Sequence, residues 1–191
     1  MFDDIAPRLQ KTAAIGVIPT DTVYGLVARA ADQAAVGRLY ELKKREAKPG
    51  TIIAASLEQL EQLGLKHRYL KAVEQFWPAA VSVIIPTSDP KLDYLHQGTM
   101  SLAVRLPASP ELQKLLAVTG PLLTSSANPP GEPTAVTITQ ARGYFGDQVD
   151  FYVDGGDLSA RQPSTIIRVV DDAIEVLRPG AVPIGGDTIK S

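Results

Sequence analysis

Residues 122–136 read LLTSSANPPGEPTAV. Two leucines give way to Thr124, Ser125 and Ser126, then to Ala127 and Asn128, and Pro129, Pro130 and Pro133 follow around Gly131. An apolar run that ends on hydroxyls and an amide describes the end of a strand. The prolines stop helix and strand alike beyond it, because each fixes φ and lacks a backbone donor. Two readings fit. One is a turn built from the usual turn residues. The other is a binding rim, with compact donors and acceptors at the strand end and prolines that lower the entropy lost in holding them still.

The same grammar recurs at IPTDT (18–22), VRLPAS (104–109) and LRPGA (177–181). Each is an apolar strand running into a polar or Pro/Gly terminus. In open α/β sheets, ligands sit outside the carboxyl ends of strands. The four termini are therefore expected to converge on one cavity, which favours the rim reading of 122–136.

Between these termini, strands and helices alternate. Strands are expected at 13–19, 51–56, 80–86, 99–107 and 121–126 from their Ile/Val/Leu content and length. Helices are expected at 31–46 with Asp32 as N-cap, 56–64 between Ser56 and Gly64, 67–77 stopped by Pro78, 109–120 opened by Ser109–Pro110, and 137–146. Three late strands, 149–156, 163–171 and 173–178, have no helices between them, so part of the sheet is antiparallel. The chain reads as one α/β domain, residues 1–191, with a mixed sheet flanked by helices. A domain of this size buries roughly 70% of the surface its unfolded chain exposes.

Composition narrows the chemistry. There is no cysteine and there are two histidines, which excludes disulfides, thiolate sites and a multi-histidine metal cluster, so no metal held by the protein is expected. No GxxxxGK[ST] loop, dinucleotide fingerprint or nucleophile elbow occurs. Catalysis must then rest on positioning and electrostatics. The opening MFDDIAPRLQK is no secretory signal, and no apolar run approaches the ~20 residues that span a membrane, so a soluble cytoplasmic protein is expected. The net charge of −2 argues against a grip on nucleic acid by bulk charge but leaves room for a local basic pocket.

Three basic elements could line such a pocket. KKREAK (43–48) ends a helix, where cations complement the dipole from solvent; alternatively, Lys43 and Arg45 turn together toward a polyphosphate. On an alternating strand Ser101, Ala103 and Arg105 share one face, and an arginine there needs either a partner on the sheet or an anionic ligand. Arg178 is either an exposed turn charge or part of the same site.

Together these segments resemble the YrdC/TsaC family, the threonylcarbamoyl-AMP synthases. IPTDTVYGLVARA is similar to that family's P-T-[DE]-T-V-Y-G-L opening, and LYELKKR to its K-x-R element at Lys43 and Arg45. LAVRLPASP is similar to V-R-x-P at Arg105, TSSANPPGEP to S-x-N at Ser126 and Asn128, and DGG, PSTIIRV and LRPGA follow in the family's order. The resemblance implies a twisted sheet around a deep basic cavity (a YrdC-like fold). It implies a nucleotidyltransferase that makes threonylcarbamoyl-AMP and pyrophosphate from L-threonine, bicarbonate and ATP with Mg²⁺. A TsaD-type partner would then use the product to modify tRNA, so that tRNA is met indirectly or weakly. Carried over residue by residue, Thr20, Arg105, Ser126 and Ser164 contact threonine. Lys43, Arg45, Ser101, Asn128, Thr134 and Arg178 contact ATP, and Lys43 and Arg45 are the catalytic pair.

The sequence also departs from the family. Glu46 stands where a proline usually follows K-x-R, strand TIIAAS lacks a histidine, and LSARQ (158–162) replaces a glycine-bearing stretch, with Arg161 adding charge near the cavity mouth. A reading of another class is a non-catalytic RNA-binding module using the same cavity, which the net charge and scarce aromatics oppose.

Overall fold

A computed structural model describes residue 2 and residues 4–44, 48–171 and 173–185. Nine strands form one mixed sheet in the order β7 (Phe151–Tyr152), β1 (Ile15–Pro19), β2 (Tyr24–Arg29), β6 (Leu122–Ser126), β3 (Thr51–Ile53), β5 (Ser101–Arg105), β4 (Val81–Pro86), β8 (Thr165–Val170), β9 (Ala173–Arg178). The pairs β1/β7, β3/β5 and β4/β8 are parallel, and the others antiparallel.

Most expected elements appear. The helix α2 (Gln33–Lys43) starts where the Asp32 carboxylate accepts the Ala35 N–H at 3.0 Å. Ser56 and Ser109 cap α3 (Leu57–Leu63) and α6 (Pro110–Thr119) in the same way, and Thr137 caps α7 (Ile138–Phe145). Strand β2 is not among the expected strands; it is buried on both faces and so shows no alternation. Two expectations need correction. The single helix expected over 67–77 is a short α4 (His67–Lys71) and a separate 3₁₀ turn, broken where buried Val73 takes φ −124°. The three late strands are not neighbours. Only β8 and β9 form a hairpin, while β7 shrinks to two residues and pairs with β1 across the molecule.

The two faces of the sheet are covered differently. Helices α2, α3, α4, α5 (Asp93–His96) and α7 pack on one face over a core that includes Leu26, Leu39, Ile52, Val104 and Leu123. On the other face α6 and α1 (Ile5–Leu9) seal only one part, over Ile18, Val27, Ile53 and Leu122. The rest of that face is polar. Among the described residues no helix is long and apolar enough to cross a membrane.

Leu116 of α6 is fully buried in the smaller cluster. Leu116→Ala should lower unfolding free energy by about 2–5 kcal/mol, measured by urea denaturation. A loss below about 1 kcal/mol would mean that α6 does not seal this face in solution.

Candidate active site

The polar half-face is set by strand register. Thr124 of β6 pairs with Thr51 of β3, Thr51 with Ala103 of β5, and Ala103 with Ile84 of β4. Side chains alternate along a strand, so Ser126, Ser101 and Arg105 point to the same side as this row. Above it lies a cavity of about 310 Å³, lined by these residues together with Thr20, Ser164 and Arg178.

The four polar termini do meet, but not along a common edge. Strand β5 is parallel to β3, which is antiparallel to β6, so Arg105 and Ser126 end strands that run in opposite directions. They share a cavity because it lies across the face of the sheet. The tip of the β1–β2 hairpin completes it by reaching over from one side: Arg105 Nη2 donates to Asp21 Oδ1 at 3.0 Å. Arg161, in the stretch that departs from the family pattern, donates to the Thr20 carbonyl at 2.9 Å.

Arg105 is 3% exposed, and the Asp21 side chain 6%. Of the two alternatives for this arginine the partner is present, and the residue also lines the cavity. Burial pulls its guanidinium below the ordinary value, and the Asp21 carboxylate pulls it back up. Arg105 Nη1 also donates to Ser82 Oγ at 3.2 Å, while its Nε and Asp21 Oδ2 are buried without a partner. Ser164 Oγ lies 2.9 Å from Ser82 Oγ. Arg178 Nη2 donates to the Ser164 carbonyl at 2.7 Å and to Ser164 Oγ at 3.2 Å, so Arg178 is no idle turn charge. Arg105 and Arg178 are the charged side chains among the described lining residues.

At the other side, Thr20 Oγ1 bonds the Val23 carbonyl at 2.7 Å and Thr22 Oγ1 at 2.9 Å, which folds the hairpin tip. Tyr24 ties that tip to the DGG segment: its hydroxyl accepts the Gly155 N–H at 2.8 Å and donates to the Gly156 carbonyl at 2.9 Å. Burial pushes its phenol pKa up, which keeps that donor in place.

Lys43 sits where a phosphate reading did not anticipate it. It is 3% exposed, and its ammonium donates to the carbonyls of Ser126 (2.8 Å) and Asn128 (2.5 Å) and to Asn128 Oδ1 (3.1 Å). Asn128 Oδ1 also accepts the Ser126 hydroxyl at 2.6 Å, and Asn128 Nδ2 donates to the carbonyls of Pro129 and Glu132. The rim of 122–136 is thus a loop fastened from inside by a lysine and from outside by its own proline-rich turn. Lys43 and Asn128 stand behind the lining residues and act on them through Ser126. Arg45 lies outside the described residues. Thr134 is half-buried and is not among the lining residues, whereas Ser101 is.

Sequence reasoning missed Asp21, Ser82 and Thr124. Thr124 was within reach, two residues before Ser126 on one strand. Asp21 and Ser82 gave no signal, because their meaning depends on Arg105, which is 84 and 23 residues away.

The Sua5/YciO/YrdC family model, described as telomere recombination, matches residues 8–180. The threonylcarbamoyl-AMP synthase of Pseudomonas paraeruginosa is 33% identical over 177 residues, covering 91% of this chain and 95% of that protein. That of Marinobacter nauticus is 35% identical over 176 residues, covering 88% and 93%. Among solved structures, Sua5 of Pyrococcus abyssi complexed with L-threonine matches at TM-score 0.81 and 31% identity over 94% of this chain, which spans 54% of that protein. Escherichia coli YciO shares the fold, at TM-score 0.78 and 23% identity, covering 96% of this chain and 88% of that one.

Lys43→Met keeps the length of the stem but removes the lysine donor from three oxygens of the 126–128 loop, of which the Ser126 carbonyl keeps the Asn128 N–H and Asn128 Oδ1 keeps the Ser126 hydroxyl. Stability should fall by about 1–3 kcal/mol, and amide exchange should quicken at Ala127 and Asn128. Unchanged exchange there would show that the lysine does not fasten the loop.

Proposed function

Because the chain belongs to the Sua5/YciO/YrdC family, we propose that it is a threonylcarbamoyl-AMP synthase, a nucleotidyltransferase acting on L-threonine, bicarbonate and ATP. The observation that carries this reading is one cavity bringing together Thr20, Ser101, Arg105, Ser126, Ser164 and Arg178. In this reading Thr20, Arg105, Ser126 and Ser164 hold threonine. Ser101 and Arg178 hold ATP from the cavity wall, with Arg45 and Thr134 as the family resemblance assigns them, while Lys43 and Asn128 act from behind through Ser126. The relatives' shared name favours catalysis over an RNA-binding module, as does the net charge of −2.

The reaction needs no protein nucleophile. The threonine amine attacks the carbon of bicarbonate, the C–O bond to its hydroxyl breaks, and hydroxide leaves with an amine proton as water to give a carbamate. A carbamate oxygen then attacks the α-phosphorus, whose bond to the departing pyrophosphate breaks. Arg105 and the hydroxyls fix the amino acid, which makes the encounter effectively unimolecular and is worth roughly 7–11 kcal/mol. Arg178 and Arg45 supply positive charge where the leaving group becomes more negative, and Lys43 holds the 126–128 loop in place. Among the described residues no cluster of three or more His, Asp or Glu could hold a metal ion. Mg²⁺ would arrive on the triphosphate of ATP, and no step here is routed through it. A TsaD-type transferase would consume the product for tRNA modification in the cytoplasm, leaving tRNA as an indirect or weak partner.

The test is pyrophosphate release by the purified chain. Release should require ATP, Mg²⁺, threonine and bicarbonate together, and tRNA should not raise the initial rate. Serine should be a poor substrate and valine close to inert, because a site that bonds a hydroxyl rejects an analogue lacking it more strongly than one lacking a methyl. Bicarbonate-independent release, or equal use of valine and threonine, would overturn the reading.

A further inference from the structure

Ser82 on β4 is completely buried and does not line the cavity. Its hydroxyl meets two groups. Arg105 Nη1 donates to it at 3.2 Å, and Ser164 Oγ lies 2.9 Å away. Ser164 Oγ also receives an N–H from Arg178, at 3.2 Å. A guanidinium has donors only, so each serine oxygen already accepts from an arginine. Each hydroxyl has one hydrogen, and one hydrogen fits between two oxygens. Ser82 has no other acceptor in reach among the described residues, and neither solvent nor ligand touches it. The hydrogen between them is therefore Ser82's. The hydrogen left over belongs to Ser164, at the cavity wall.

The groups facing the cavity beside it are also donors, the guanidinium groups of Arg105 and Arg178. A wall of donors suits a group that only accepts and carries negative charge. An ammonium there would face the two guanidinium groups. Of the parts of threonine, only the carboxylate meets this description.

We propose that Ser82 is a positioning residue which, by donating to Ser164, turns the Ser164 hydroxyl into a hydrogen donor for the carboxylate of the bound amino acid. This rests on the threonine reading above. Ser82 never touches the ligand, and its effect passes through Ser164. Without it Ser164 could turn its hydrogen toward the vacated space and present a lone pair to an anion instead.

The test is calorimetric binding of L-threonine, without ATP or bicarbonate so that no carbamate forms, to wild type, Ser82→Ala, Ser164→Ala and the double variant. Ser82→Ala should weaken threonine binding roughly tenfold, the scale of a lost hydrogen bond to a charged group. The double variant should bind as Ser164→Ala does, because residues acting as a unit are not additive. In turnover, KM for threonine should rise by a similar factor while KM for ATP moves less than about twofold. A general loosening would move both, because Arg178 belongs to the nucleotide side. The methyl ester of threonine, which lacks the anion, should show no preference between wild type and Ser82→Ala. Ser82→Thr keeps the hydroxyl and should restore binding; if Ser82→Ala melts at room temperature, Ser82→Cys takes its place with the same expectation. Unchanged threonine binding in Ser82→Ala, additive losses in the double variant, or an ester that loses affinity equally would overturn the proposal alone. A wild type that does not bind threonine would overturn the functional reading and this proposal with it.

Discussion

Burying the Arg105 guanidinium is the constraint on which the site depends. An ionised side chain leaves water at a cost of several kcal/mol unless it is paired and hydrogen-bonded. The middle of the sheet cannot supply a carboxylate, because the strands around Arg105 carry apolar and hydroxyl side chains. The partner arrives from the β1–β2 hairpin, whose tip carries Asp21 across the polar face. Pairing these charges therefore also sets the shape of the cavity. The pair is incompletely satisfied, with Asp21 Oδ2 and Arg105 Nε buried and unbonded.

Two glycines let the walls come close enough for this geometry. A Cβ on Gly25 would lie 2.5 Å from Thr124 Oγ1, so the Y-G-L motif of β2 needs its glycine to let β6 bring its hydroxyls beside the hairpin. A Cβ on Gly180 would lie 2.3 Å from the Pro163 carbonyl, so the R-P-G turn rests directly on the backbone that precedes Ser164. That contact lets Arg178 cross from β9 and bond both the carbonyl and the hydroxyl of Ser164. These sequence motifs are thus conditions of approach as much as sources of ligand contacts.

What could be read in the sequence follows from the range of the interactions. Caps at Asp32, Ser56 and Ser109 are decided within three residues, and they appear where expected. The polar ends of β1, β5, β6 and β9 were visible because each is a local change from apolar to polar. The opposed directions of β5 and β6 were not visible, since strand pairing joins residues far apart in the chain. The same holds for Lys43. Its place at a helix end suggested a solvated cation or a phosphate contact, and nothing nearby in sequence announces that its acceptors lie 83 and 85 residues later. The late strand β7 failed for a related reason: apolar content over 149–156 could not reveal that Asp154 and the two glycines serve Tyr24 rather than a ladder.

The balance of donors and acceptors around the cavity says more about its ligand than any single contact. Thr20 spends its hydroxyl hydrogen on the Val23 carbonyl and its lone pairs on the Thr22 N–H and hydroxyl, whereas Ser126 spends its hydrogen on Asn128. The Ser126 oxygen keeps lone pairs that can accept from an ammonium or a hydroxyl. On the far side Arg105, Arg178 and Ser164 offer hydrogens. The cavity is therefore polarised, with an acceptor at the β6 rim and donors at the β5, β8 and β9 wall. A small zwitterion has matching polarity along its own length. Reversing it in the cavity would set its carboxylate against lone pairs and its ammonium against guanidinium groups, and each mismatch leaves a buried charge unpaired. In the proposed reading the hydrogen atoms of the wall set the orientation of the amino acid before any group reaches for the side chain that tells threonine from its neighbours.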